Sequence, residues 1–132
     1  MTTEMGFAAR LRLPFAEARQ RTVDALKQEG FGVLTEIDVK ATLKQKIDVD
    51  FRPYTILGAC NPPLAHRALS ADADVGLFLP CNVTVAEEGG EIVVTAIDPI
   101  VMLGMIKDNP VLKEVAQEAR TKLKRAIESL SK

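Results

Sequence analysis

Val75-Gly-Leu-Phe-Leu-Pro-Cys-Asn-Val-Thr-Val-Ala-Glu-Glu-Gly-Gly-Glu-Ile-Val-Val-Thr-Ala-Ile97 is the stretch whose reading decides the fold. Val75, Leu77, Leu79, Cys81, Val83 and Val85 fall on one side of an extended chain, and Phe78, Pro80, Asn82 and Thr84 on the other. A period of two marks a strand. Glu87-Glu-Gly-Gly-Glu91 supplies glycines where a hairpin needs positive φ, so Ile92 to Ile97 returns as the antiparallel partner. An adjacent hairpin predicts an antiparallel sheet, and the helices elsewhere then make the class α+β.

Upstream, Phe7 to Leu13 ends in alternation, with Leu11 and Leu13 on one face and Arg10 and Arg12 on the other. Pro14 suits a first helical turn, where its missing N–H costs nothing. Phe15, Ala18, Thr22, Ala25 and Leu26 then form a helical stripe, and Gly30 stands where a left-handed cap is wanted. Phe31 to Ile37 returns as a strand. Asp38 caps a helix over Val39–Ile47 whose Val39, Leu43 and Ile47 share one face. Its lysines at 40, 44 and 46, with Arg52, read either as a solvated face or as an attraction for an anion. Tyr54 to Cys60 is the next strand, and Asn61-Pro-Pro63 starts a helix through about Ala71. Downstream, Asp98-Pro99 ends the hairpin. The next run, Ile100 to Ile106, carries two methionines and a glycine and reads as a lid over an apolar pocket, as core or as a dimer contact. Asn109 caps the final helix, and Leu112, Val115, Ala116, Ala119, Leu123, Ala126, Ile127 and Leu130 form its apolar face.

The order is β-α-β-α-β-α-β-β-α: one largely antiparallel sheet with helices packed on one face, in a single domain over 1–132. Helices on one side cover only one sheet face. Tyr54, Ile56, Phe78, Val93 and Ile97 are candidates for the other. Apolar side chains there predict a partner, most simply a second copy packed sheet to sheet.

Composition narrows the function. A chain of 132 residues buries roughly two-thirds of its unfolded surface and folds without staples. Hydrophobic residues at 47% exclude a disordered chain. Net charge is -1, without the basic surplus of a nucleic-acid binder, and aromatics at 5% leave few stacking platforms. No apolar run is long enough to span a bilayer and the N-terminus does not read as a secretory signal, so no membrane partner and a cytoplasmic, soluble protein are expected. Two cysteines are too few for a disulfide scaffold. There is no G-x-G-x-x-G, Walker loop, G-x-S-x-G or H-E-x-x-H, so cofactor-dependent oxidoreductases, kinases and serine hydrolases are disfavoured and no cofactor is expected.

Two segments each pair a Cys-Asn with proline: Gly58-Ala-Cys-Asn-Pro62 and Leu79-Pro-Cys-Asn-Val83, followed by Asp98-Pro99. On these motifs the chain resembles the domain of unknown function 302 family over nearly its whole length. The resemblance implies an α+β fold of the TATA-binding-protein-like class that dimerises through its sheets. It implies no activity, and a fold label does not carry DNA binding with it.

The candidate ligand-binding residues are Cys60, Asn61, His66, Cys81 and Asn82. Cys60 precedes a helix N-terminus, where the dipole favours a thiolate, but Pro62 and Pro63 remove two of the free amides. Cys81 shares a face with Leu79 and Val83 and reads as a small hydrophobe. Zinc would need Cys60, Cys81 and His66 together, and the chain has one histidine and no close-spaced ligand pair, so no metal is expected. Asn61 is a natural N-cap, and Pro80 within a strand marks an edge or a bulge. Three functions follow. The leading one is a non-enzymatic small-ligand-binding or stress-accessory module, homodimeric and taking a small apolar or mixed ligand. The others are a thiol-based enzyme or redox sensor using Cys60, and a purely structural interaction protein.

Overall fold

A computed structural model describes residues 1–104, 106 and 108–131. The chain runs β1 (Gly6–Leu11), α1 (Phe15–Gln28), β2 (Gly32–Asp38), α2 (Val39–Ile47), β3 (Tyr54–Cys60) and α3 (Pro62–Ala71). A 3-10 segment (Ala73–Phe78) leads to β4 (Cys81–Glu88), β5 (Glu91–Ile97), α4 (Pro99–Leu103) and α5 (Pro110–Ser129). The strands form one antiparallel sheet in the order β1-β5-β4-β3-β2. The expected class, and the order of strands and long helices, are as observed.

Why each element forms is visible in its ends. Pro14 stands at the N-cap of α1, and Gly30 takes φ 85 just past its end, a conformation glycine adopts without strain. Asp38, Asn61, Asp98 and Asn109 cap α2, α3, α4 and α5, each side chain accepting from a backbone N–H of the first turn. Gly89 and Gly90 supply the positive φ of the β4–β5 turn.

The core lies between the sheet and α1, α3 and α5. All eight residues of the apolar face expected for the last helix are buried. They meet Phe7, Leu57, Val83, Val85 and Val94 from the strands. Each such Leu, Ile or Phe contributes about 1.5–3 kcal/mol on leaving water. Helix α2 differs, because none of its residues is buried and Ile47 is 63% exposed.

Two expectations are corrected. Val75 to Leu79 does not extend the strand. The Asp72 carboxylate accepts from the Asp74 N–H and starts a 3-10 turn, which carries Val75 into the core and leaves Leu77 84% exposed. Apolar residues two apart therefore imitated a strand. Pro80 marks neither an edge nor a bulge. It stands just before β4, the central strand, so its missing N–H never enters the ladder. The bulge is in β2, between Val33 and Thr35. Pro99 to Leu103 forms α4, and within the expected Ile100–Ile106 lid Met105 lies outside the described residues.

On the face away from the long helices, the register aligns Ile37, Ile56, Thr84 and Thr95, and beside them Tyr54, Ala86 and Val93. Ile97 extends this surface, whereas Phe78 reaches it from the 3-10 turn. At one end Arg10 and Arg12 meet Glu88 and Glu91 in ion pairs of 3.3–4.0 Å.

Candidate functional site

Strand β3 ends at Cys60, and the chain turns through Asn61 into α3. The β3–β4 register sets Ala59 opposite Cys81 and Gly58 opposite Asn82. Because side chains alternate across a strand, Cys81 faces the core with Val83 and Val85, and Asn82 faces the uncovered side, exposed.

Cys60, Asn61 and Cys81 all border one apolar cavity, with Leu64, Met102 and Val115 among its walls, although by strand parity Cys60 belongs with Gly58 and Ile56 rather than with Cys81. Its volume is ≈ 40 Å³. A single water needs roughly 10–15 Å³ measured this way, so the cavity holds a few atoms. Pockets for drug-sized ligands run to about 300–1,000 Å³. Asn82 instead lines an open groove of ≈ 440 Å³ with Leu77, Phe78, Ile97 and Val101. Leu79, Pro80 and Met102 border both spaces and form the partition between them.

His66 does not join the site. It follows Leu64 by two residues and precedes Ala68 by two, and those two are buried. At about 100° per residue it points to the opposite, exposed side of α3. No imidazole is thus placed at the thiols, and among the described residues no group of three His, Cys, Asp or Glu side chains is arranged to hold a metal ion.

Asn61 performs backbone work. Its Oδ1 accepts from the Leu64 N–H at 3.3 Å, and its Nδ2 donates to the Glu29 carbonyl at 3.4 Å. One side chain thereby starts α3 and ties it to the end of α1. The first amides of α3 are engaged, Leu64 N–H by the Asn61 side chain and Ala65 N–H by the Asn61 carbonyl. Pro62 and Pro63 have none to offer, so the helix N-terminus aims no free donor at Cys60.

The thiols are both unpaired, Cys60 half-buried and Cys81 buried. Burial, and secondarily the nearby Cys60, push the Cys81 thiol up to about 11. Cys81 is accordingly a protonated, unreactive group near neutral pH.

The expected anion attraction at 40, 44, 46 and 52 has competitors. Lys44 pairs with Asp48 and Asp50, Lys40 donates to the Phe51 carbonyl, and Arg52 lies over the Phe51 and Tyr54 rings.

Sequence reading did not find Met102 or Arg120. Met102 lies in the Ile100–Ile106 run, whose two methionines were the available signal. Arg120 donates to Asp98 from the final helix, and no spacing announces that long-range pair.

The sequence matches the family model described as "Domain of unknown function DUF302" over residues 7–130. The chain belongs to the DUF302 family. A solved structure described as "Crystal structure of uncharacterized conserved protein DUF302 from Bacillus stearothermophilus" is similar to it, with 35% identity and a TM-score of 0.87. The likeness covers 96% of this chain and 98% of that one. No curated protein matches this DUF302 chain. Among its described residues no helix is long and apolar enough to cross a membrane.

Proposed function

We propose that this chain is a non-enzymatic binding module, a homodimer formed sheet to sheet, with a small ligand held in the cavity of Cys60, Asn61 and Cys81. One observation carries the reading: the long helices cover only one face of the five-stranded sheet, while Tyr54, Ile56, Ile37 and Ile97 stand on the other, none of them fully buried.

A second copy is the occupant that fits this face. Five strands about 4.8 Å apart, each six to eight residues long at about 3.4 Å per residue, span on the order of 500 Å² before side-chain relief. That approaches the roughly 800 Å² each partner contributes to a standard interface. The rim holds both signs of charge already paired, Arg10 and Arg12 with Glu88 and Glu91. A two-fold axis sets such a surface against its own copy without like charges dominating. A reactive-thiol reading gains nothing from the geometry, since His66 points away and no amide is aimed at Cys60.

Sedimentation velocity tests the pairing. The expected result is a dimer for the wild type and a folded monomer for Ile56→Asp, with folding checked by circular dichroism. A monomeric wild type at micromolar concentration overturns it. Native mass spectrometry of freshly purified protein reports subunit number and any retained ligand together.

A further inference from the structure

Helix α2 has nine residues, none of them buried. Isolated helices shorter than about 12–15 residues are marginal in water and hold through the packing of an apolar face. Such a face exists here, because Val39, Leu43 and Ile47 recur at i, i+4 and i+8. Val39 and Leu43 are half-buried, and α2 packs mainly on β2 and β3. Ile47 is 63% exposed, and Val49, just past the helix, is 42% exposed. An apolar knob thus stands at the end of the sheet where β2 stops and β3 starts. The groove of ≈ 440 Å³ lies at the opposite end, where β4 starts and β5 stops. Leu77, 84% exposed, and Val101 are in its wall. Among the described residues Asn82 is its one polar side chain, and no charged side chain lines it.

We propose that in the sheet-to-sheet dimer the Ile47–Val49 knob of each copy docks into the Leu77–Val101 groove of the other. The inference rests on the dimer reading and names the contacts that complete it. A two-fold axis lying between the facing sheets and across the strands turns one copy end for end. Each knob then comes to the groove end of its partner, and the same contact forms twice. An axis along the strands would instead keep like ends together. The knob would meet the ion pairs of Arg10 and Arg12 with Glu88 and Glu91, which offer aliphatic side chains no apolar seat. Area favours the same occupant. The sheet face gives on the order of 500 Å² against the roughly 800 Å² each partner brings to a standard interface. An exposed knob and an exposed groove, each found twice, supply the difference. Charge agrees, since Lys44 beside the knob is already paired with Asp48 and Asp50, and the groove it approaches is uncharged.

Analytical ultracentrifugation of Ile47→Asp and Leu77→Asp is the test. Both positions are exposed, so both variants should keep the circular dichroism of the wild type. Each should weaken dimerisation at least about 100-fold, because the symmetric contact is lost twice. With the truncations Ile47→Ala and Leu77→Ala, the double variant should weaken it by less than the product of the single effects, since either one already empties the contact. Multiplicative effects overturn the proposed seat. A monomeric wild type sinks the dimer reading and this inference together. A dimer that Ile56→Asp breaks, but whose dissociation constant Ile47→Asp and Leu77→Asp leave unchanged, sinks the knob and groove and spares the sheet pairing. Ile47-dependent flotation with vesicles containing phosphatidylserine, at unchanged dimer affinity, assigns α2 to a membrane surface and overturns the proposal as well.

Discussion

The Arg120 guanidinium reaches from α5 to the Asp98 carboxylate, Nε to Oδ2 at 3.1 Å, and lies 5.2 Å from the centroid of the Phe7 ring. The same carboxylate caps α4 through the Ile100 N–H at 2.9 Å. One side chain thereby joins the end of β5, the start of α4 and the middle of α5, the frame that sets Met102 over the cavity. Its side chain is only 12% exposed, so the pair is largely shielded, although Arg120 reaches water at 30%. Asp98→Asn should keep the cap and lose the charge pair, costing about 1–3 kcal/mol. Asp98→Ala should lose the cap too, a further ~1 kcal/mol. Urea denaturation of the two variants checks the order, and equal losses would show that the cap is idle.

Asn61 yields a second expected outcome. Asn61→Ala removes both the cap of α3 and the tie to Glu29 and should cost about 1–2 kcal/mol. Asn61→Asp keeps an acceptor for the Leu64 N–H but sets a carboxylate oxygen against the Glu29 carbonyl. It should recover only part of the loss. Thermal midpoints measured side by side decide this, and full recovery by Asp would assign the whole effect to capping.

What was legible in the sequence follows physical range. The final helix was readable because its eight apolar positions repeat at one local period and Asn109 and Pro110 mark its start. Asn61 was readable as a cap because capping is decided within four residues. Val75 to Leu79 misled because three apolar residues two apart satisfy either a strand or a 3-10 turn, and the Asp72 cap that chooses between them is a polar detail. The central place of β4 was not legible, since the pairing of β1 with β5 depends on contacts about ninety residues apart. Within the site, strand parity already put Cys81 and Asn82 on opposite faces. Grouping both with Cys60 followed the repeated Cys-Asn spelling rather than geometry. Met102 and Arg120 were hidden because each acts only across the assembled fold.

Gly58 offers a packing test. A Cβ there would lie inside contact distance of the Thr35 hydroxyl and 2.7 Å from Cγ of Pro80. Thr35 and Pro80 thus sit directly over this glycine, and the Pro80 ring is also part of the partition beside Cys81. Gly58→Ala should cost about 1–3 kcal/mol, typical of overpacking. Adding Thr35→Ala should return part of it by removing one of the two obstructing atoms. Denaturant midpoints for the single and double variants check this, and a neutral Gly58→Ala would show that the two side chains move aside freely.

The Cys81 thiol makes stability depend on pH in a defined direction. Its ordinary value is 9.0, and in the folded chain burial, then Cys60, raise it to about 11. Between those values the unfolded chain releases the proton and the folded chain keeps it. The unfolded state then binds fewer protons, and stability falls as pH rises. The contribution is complete below about pH 9 and is lost as pH climbs toward about 11. At about 1.4 kcal/mol per pKa unit, the full loss is on the order of 2–3 kcal/mol. Cys81→Val removes the thiol and keeps an apolar side chain of similar bulk, so its stability should fall less steeply over the same window. The check is chemical denaturation of both proteins across that range, with the difference between them cancelling the titration of every other group. Parallel curves would mean that the Cys81 sulfur loses its proton as readily in the folded chain as in the unfolded one, and that the cavity beside it is open to water.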